Sequence, residues 1–174
     1  MITQKGLPQP PGQTQPGSLV KGPHWQDAKR INSMVLALEP YLLNATTTGV
    51  FQIRDTSNLT DVASALSGAT VFGNVTGEGM AQKDYFGKAG HFLLGEFRLQ
   101  DGRTAVMVHN QLPHVTSWPT LTPKQQGAGA PQLLEVDLIG GGIAPLLDDS
   151  PLMPGLQLRF GEGMARFIVV GAKR

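Results

Sequence analysis

The chain has 174 residues, the length of a single domain, and its 14 basic and 13 acidic side chains leave a net charge of +1. This balance excludes a clustered basic surface as the main feature, so we expect no nucleic-acid partner. The absence of cysteine excludes disulfide bonds, thiolate metal ligands and a cysteine nucleophile. No apolar run has the length of a signal peptide or a transmembrane helix, so we expect no membrane partner, and the cellular location stays open.

Residues 1–23 are rich in proline, glycine and glutamine and show no apolar periodicity. Such a composition favours extended, solvated chain over a packed core. We therefore expect an extended or disordered tail that is ordered only by contact with another surface.

One helix is predicted over roughly residues 24–39, within a segment, 24–44, that we interpret as a packing helix. Pro40 is expected to end the regular helix near Leu38. The apolar side chains that recur at helical spacing, and that we expect at an interface, are Trp25, Ile31, Val35 and Leu38.

From residue 46 onward the apolar pattern changes to a period of two, which is typical of β-strands. Asp101-Gly102, between two apolar runs, predicts a tight hairpin. Gly161-Glu162-Gly163 predicts a second hairpin that joins the last two strands, and residues 55–68 are interpreted as a loop. The predicted strands are 50–54, 71–75, 92–99, 104–109, 115–121, 133–139, 156–160 and 165–170.

Short strands separated by turn signals predict a mainly β fold, with residues 45–174 forming an antiparallel β-sandwich. With 22 glycines and 13 prolines, the composition supports the same interpretation. The predicted architecture is therefore a sandwich with one N-terminal helix and an extended Pro/Gly-rich tail.

The sequence predicts no catalytic, metal or cofactor site. His109 and His114 lack the further ligands that a zinc site needs. The adjacent pair Asp148-Asp149 is predicted to lie in a loop, and Glu135 with Asp137 is more simply a solvated strand face than an acid–base pair. Neither a serine nucleophile motif nor a phosphate-binding glycine loop is present.

Exposed aromatic rings are the remaining signal, because sugar-binding sandwiches stack pyranose rings on tryptophan or tyrosine. Trp118, beside a proline in a predicted edge strand, is the first candidate for carbohydrate binding. Tyr85 and Phe86, in a glycine-flanked loop, are the second. Core or interface packing is the simpler interpretation of each ring.

Three short segments, taken in order, resemble a known family. Ile31 to Leu43 followed by Thr48-Gly49-Val50 resembles the last helix of a (β/α)8 barrel running into the first strand of a C-terminal β-sandwich. Phe92 to Phe97, Asp101-Gly102-Arg103 and Val106 to Asn110 resemble the central hairpin of that sandwich. Leu158 to Phe167 resembles its last two strands. The chain is thus similar, over about residues 25–171, to the C-terminal domain of glycoside-hydrolase-like barrel proteins.

This resemblance implies a β-sandwich without catalytic residues, because the catalytic carboxylates of that family lie in the barrel. The expected role is structural, with the helix packing against a glycosidase barrel or a second subunit. A free-standing carbohydrate-binding module that uses the exposed aromatic rings is the alternative. Glycoside hydrolysis by this chain itself is the least favoured of the three.

Overall fold

The computed structural model describes residues 24–77, 90–127, 130–147 and 156–171, and these form a mainly β fold of two antiparallel sheets with two helices. This confirms the predicted fold class; the predicted tail, 1–23, lies outside the described residues. The helices are α1, Trp25–Leu42, and α2, Leu59–Ala65. The strands are β1 Thr46–Ile53, β2 Phe72–Thr76, β3 Phe92–Arg98, β4 Thr104–Asn110, β5 Thr120–Pro123, β6 Leu133–Val136, β7 Ile143–Pro145, β8 Leu156–Gln157 and β9 Ala165–Val170.

The larger sheet has six strands in the order β1-β3-β4-β9-β6-β7, and the smaller has three in the order β2-β5-β8. The predicted hairpin is confirmed as β3–β4, which pair in unbroken register from Phe92↔Asn110 to Arg98↔Thr104. Gly102 adopts φ +84° in the connecting turn, a conformation that glycine reaches without a Cβ clash. The hairpin therefore follows directly from its local sequence.

The space between the two sheets holds the main core. Phe92 of β3 meets Phe160 edge-to-face, with ring centroids 5.5 Å apart, and both side chains are fully buried. This core also includes Ile53, Val62, Leu66, Phe72, Val75, Leu94, Val106, Val108, Leu121, Leu158 and Ile168. We call the side of the six-stranded sheet that faces this core the inner face.

A buried carboxylate ties the segment before β2 to the inner face. Glu96 of β3 is 2% exposed and accepts hydrogen bonds from the backbone N–H groups of Thr70 and Val71 and from the Thr70 hydroxyl, at 2.8–3.0 Å. A buried charge is tolerated when donors of this kind surround it. Glu96 therefore positions the strand that begins the smaller sheet.

The other side of the six-stranded sheet, the outer face, carries α1. Tyr41 lies 5.8 Å from Phe167 between ring centroids, and Leu38 and Leu42 pack on the same apolar cluster. The predicted helix end near Leu38 is wrong, because α1 continues through Pro40 to Leu42. Packing of this last turn on the sheet compensates for the hydrogen bond that proline cannot donate.

Residues 55–68 contain a second helix that the loop interpretation missed. Asn58 caps α2 by accepting a hydrogen bond from the Asp61 N–H, while Val62 and Leu66 enter the core. The Lys124 ammonium donates to backbone carbonyls at the end of α2, among them that of Ala69. Helix α2 is too short to be stable by itself, and these contacts with the rest of the fold stabilise it.

The predicted hairpin at Gly161-Glu162-Gly163 is also wrong. Strand β8 pairs with β5 in the smaller sheet, whereas β9 pairs with β4 and β6 in the larger one. The glycine-rich turn instead carries the chain between sheets and is held by the Asn110 side chain, which donates to the Gly161 carbonyl at 3.0 Å. Strand β7, which includes Pro145, was not predicted.

In the described part of the chain, no helix is long and apolar enough to cross a lipid bilayer.

Candidate functional site

The outer face is only partly covered by α1. One row of directly paired residues crosses the whole sheet there: Val50, Gly95, Met107, Phe167, Val136 and Ile143. Phe167 and Val136, in the middle of the row, are fully buried, whereas Val50 at one end is 63% exposed and Ile143 at the other end is also exposed. Apolar surface is therefore left uncovered on both sides of the helix.

Helix α1 carries an apolar stripe that continues beyond the sheet. Ile31, Val35, Leu38 and Leu42 follow one another at intervals of four, three and four residues and so share one side of the helix. The two C-terminal members, Leu38 and Leu42, pack on the sheet. The two N-terminal members are 59% and 61% exposed.

Two of the four predicted interface residues thus belong to the uncovered part of one stripe. A third, Trp25, is 45% exposed in the first turn of α1, whereas the fourth, Leu38, packs against the chain's own sheet. Leu36 of the same helix and Leu43, which directly follows it, are also exposed and were not singled out from the sequence. An interface role for this surface stays a prediction.

An open groove of about 1100 Å³ lies beside the N-terminal half of α1. Ile31 and Met34 of the helix line it together with Ile139, Ile143 and Met164 from the turns and strands opposite. These side chains continue the apolar surface of α1 along part of the groove, while ionisable residues, among them Arg30 and Glu162, line the rest of it. Contiguous apolar surface of this kind marks interaction sites in soluble proteins.

Four described carboxylates, those of Asp27, Glu135, Asp137 and Glu162, line the groove, and Glu135 and Asp137 are engaged in structural contacts. Glu135 forms a two-pronged ion pair with the Arg166 guanidinium, with both N–O distances at 2.6 Å. Backbone N–H groups of Ile139 and Gly140 hold the pKa of Asp137 below its ordinary value, which favours the charged form over a proton donor. Neither carboxylate is arranged as a general acid, and Asp148-Asp149 lies outside the described residues.

The histidines are dispersed. His109 lines the groove, His114 is exposed, and the Nε2 atom of His91 is buried without a hydrogen-bond partner in the structure. Within residues 24–77, 90–127, 130–147 and 156–171, no three histidine, aspartate or glutamate side chains come together as a metal site.

Trp118, the first carbohydrate-binding candidate, is half-buried just before β5. The Arg159 guanidinium lies 5.7 Å from its ring centroid, in a cation–π arrangement. A sugar ring stacking on that face would have to displace the arginine. The other two candidates, Tyr85 and Phe86, lie outside the described residues.

A second, smaller pocket of about 430 Å³ lies near the ends of β5 and β9. The described residues around it carry no ionisable side chain; among them are Thr70, Gln126 and Leu133. The described lining therefore offers no side chain that acts as a general acid or base.

The described surface therefore offers an apolar face around α1 and a groove of mixed lining beside it, in which Glu135, Asp137 and Arg166 are engaged in structural contacts. No family model matches the chain, and no curated protein or solved structure matches it.

Proposed function

We propose that this chain is a non-catalytic accessory β-sandwich whose role is structural: it packs against a larger partner through the exposed side of α1. The observation that carries the proposal is the stripe of α1, whose N-terminal members Ile31 and Val35 are exposed while its C-terminal members are packed. A helix gains most of its stability from packing of its apolar face, so an apolar stripe left half in water favours a partner.

The nature of the partner comes from the resemblance of the sequence to the C-terminal domain of glycoside-hydrolase-like proteins. In that family the partner is the (β/α)8 barrel that precedes the sandwich. We propose the same partner class here, present as another chain or as another part of the same protein. The engaged states of Glu135 and Asp137 support a non-catalytic role for this domain.

Binding of this chain to a barrel protein encoded beside it tests the proposal directly. We expect Ile31→Glu to weaken that binding about tenfold or more, because it places a charge where the proposed complex buries an apolar side chain. Leu59→Glu is the matched control, because Leu59 is also 59% exposed but lies on α2. Equal binding by both variants would remove α1 from the interface.

Calorimetry against glucans, galactans, xylans and mannans tests the alternative function. A structural domain should bind none of them more tightly than about millimolar. Micromolar binding that is lost in Trp118→Ala would replace the structural role by that of a carbohydrate-binding module.

A further inference from the structure

The two edges of the six-stranded sheet differ in how they are protected. Strand β7 ends the sheet on one side with only three residues, one of which is Pro145. Short edge strands and edge prolines are devices that prevent further strand pairing. Strand β1 ends the sheet on the other side with eight residues and contains neither proline nor an ionisable side chain.

In the described part of the chain, no strand lies along the edge of β1 that faces away from β3. Its only strand partner among the described residues is β3, so half of its backbone hydrogen-bonding groups have no strand beside them. A bulge interrupts the strand between Thr47 and Gly49, near its beginning. The stretch Gly49–Ile53 beyond the bulge keeps regular register with β3. This is the part of β1 on which a further strand could pair.

We propose that this edge pairs with the same edge of a second copy of the chain, antiparallel about a two-fold axis near Phe51, the middle of Gly49–Ile53. The result is a continuous twelve-stranded sheet across two molecules. In such a pair a residue just before the axis faces the residue just after it in the other copy, and only a residue on the axis faces itself. A charge within one or two residues of the axis therefore lies close to its own copy and repels it.

The composition of β1 fits pairing with a second copy of the same strand. All eight residues, Thr46 to Ile53, are uncharged, so self-pairing brings no like charges together. Thr46, Thr47 and Thr48 are β-branched, and Val50 extends that preference into the regular stretch. The outer-face side chain of Val50 is 63% exposed, so pairing extends the apolar outer face across the axis.

The experiment is sedimentation velocity of the full chain over a concentration series up to roughly 100 µM. We expect a concentration-dependent dimer for the unmodified chain and a monomer for Val50→Lys, since the two lysines lie close together on the same side of the joined sheet, next to the axis. Val35→Lys is the control, because Val35 has nearly the same exposure, 61%, but lies on α1. It should dimerise as the unmodified chain does.

Mixing Val50→Lys with Val50→Glu sharpens the test. Opposite charges then lie close together next to the axis, and we expect a heterodimer to form where neither variant dimerises alone. Hydrogen exchange of the β1 amides should slow as the unmodified chain is concentrated and should stay fast in Val50→Lys. Should Val50→Lys fold poorly by circular dichroism, Thr48→Lys, at another exposed β1 position, takes its place.

A chain that stays monomeric at the highest concentration overturns the proposal. A dimer that survives Val50→Lys, or that Val35→Lys weakens as strongly, overturns it as well. In the last case the dimer forms through α1, and the proposed packing surface of α1 stands without the β1 edge. Loss of barrel binding in Ile31→Glu, measured separately, is unaffected by any of these results.

Discussion

The two faces of the six-stranded sheet are built from the same alternating strands but have different surroundings. On the inner face a paired row runs Glu96, Val106, Ile168, and all three are at most 2% exposed. On the outer face the parallel row begins with exposed Val50 and becomes fully buried only at Phe167, beneath α1. Alternation therefore sets which residues share a face, while the covering layer decides whether that face is core or surface.

The largest loss of stability is expected from a substitution on the inner face. Phe160→Ala removes a fully buried ring that meets Phe92 edge-to-face, and we expect a loss of about 3–5 kcal/mol in the free energy of unfolding. Urea denaturation followed by far-ultraviolet circular dichroism measures it. A loss below about 1 kcal/mol would show that the two sheets do not share a close-packed core.

The second largest loss of stability is expected from removing the buried carboxylate of Glu96. Glu96→Ala leaves the N–H groups of Thr70 and Val71 buried without an acceptor, which should cost about 2–3 kcal/mol. Glu96→Gln is the matched control, since it keeps one acceptor oxygen in the same place and should lose less. If both variants unfold at the same urea concentration as the unmodified chain, Glu96 does not hold the segment before β2.

The outer face can be tested with two aromatic residues of the same helix. Tyr41→Ala removes the contact with Phe167 and should cost about 2 kcal/mol, because this ring is half-buried against the sheet. Trp25→Ala, at the exposed end of α1, should change stability by less than about 0.5 kcal/mol. Equal losses in the two denaturation curves would mean that the whole helix is packed in solution.

The β3–β4 turn joins two strands whose side chains lie alternately on the inner and the outer face, so a change in the turn affects both faces. Gly102→Val places a β-branched residue at φ +84° and should cost about 1–2 kcal/mol through backbone strain alone. No other group lies near the position that a Cβ would occupy, so no steric clash adds to this cost. An unchanged thermal midpoint would contradict the left-handed conformation of the turn.

The smallest effect is a pH dependence at the same turn. The Arg103 side chain, by hydrogen bonding to Asp101, holds the pKa of that carboxyl below its ordinary value of 3.8. A lowered pKa stabilises the folded state above the unfolded value, and this contribution is lost as the pH falls through the folded value. Because Asp101 is half exposed, we expect less than about 1 kcal/mol.

Asp101→Asn is the comparison variant for this measurement. Its thermal midpoint should fall less steeply than that of the unmodified chain as the pH drops below 3.8. Parallel curves for the two proteins would assign the acid sensitivity to other carboxylates.

The fold was more predictable from the sequence than the surface that we propose as functional. The alternation in Phe92–Arg98 and Thr104–Asn110 predicted paired strands, because period two and the Asp-Gly turn act locally. Helix α2 was missed although Asn58 and Asp61 form a recognisable cap, because its two buried apolar residues need the core to stabilise so short a helix.

The candidate surface was predicted in part. Helical spacing identified Ile31 and Val35, but Leu38 shares their spacing and is packed on the sheet instead. Val50 and Ile139 were not identified at all, because an isolated apolar residue in a strand or turn gives no sign of its exposure. Periodicity reports which residues share a side, and only the neighbouring elements decide what covers it.

By itself, the sequence determined the local structure of this protein: the alternating strands, the turn at Gly102 and the amphipathic helix before β1. These depend on backbone preferences and side-chain spacing within a few residues. The tertiary structure alone decided that β8 and β9 lie in different sheets, that α1 runs through Pro40, and that the helix covers the middle of the outer face. Those outcomes depend on packing between segments far apart in the chain, where the burial of Tyr41 and Phe167 outweighs the local preference to end a helix.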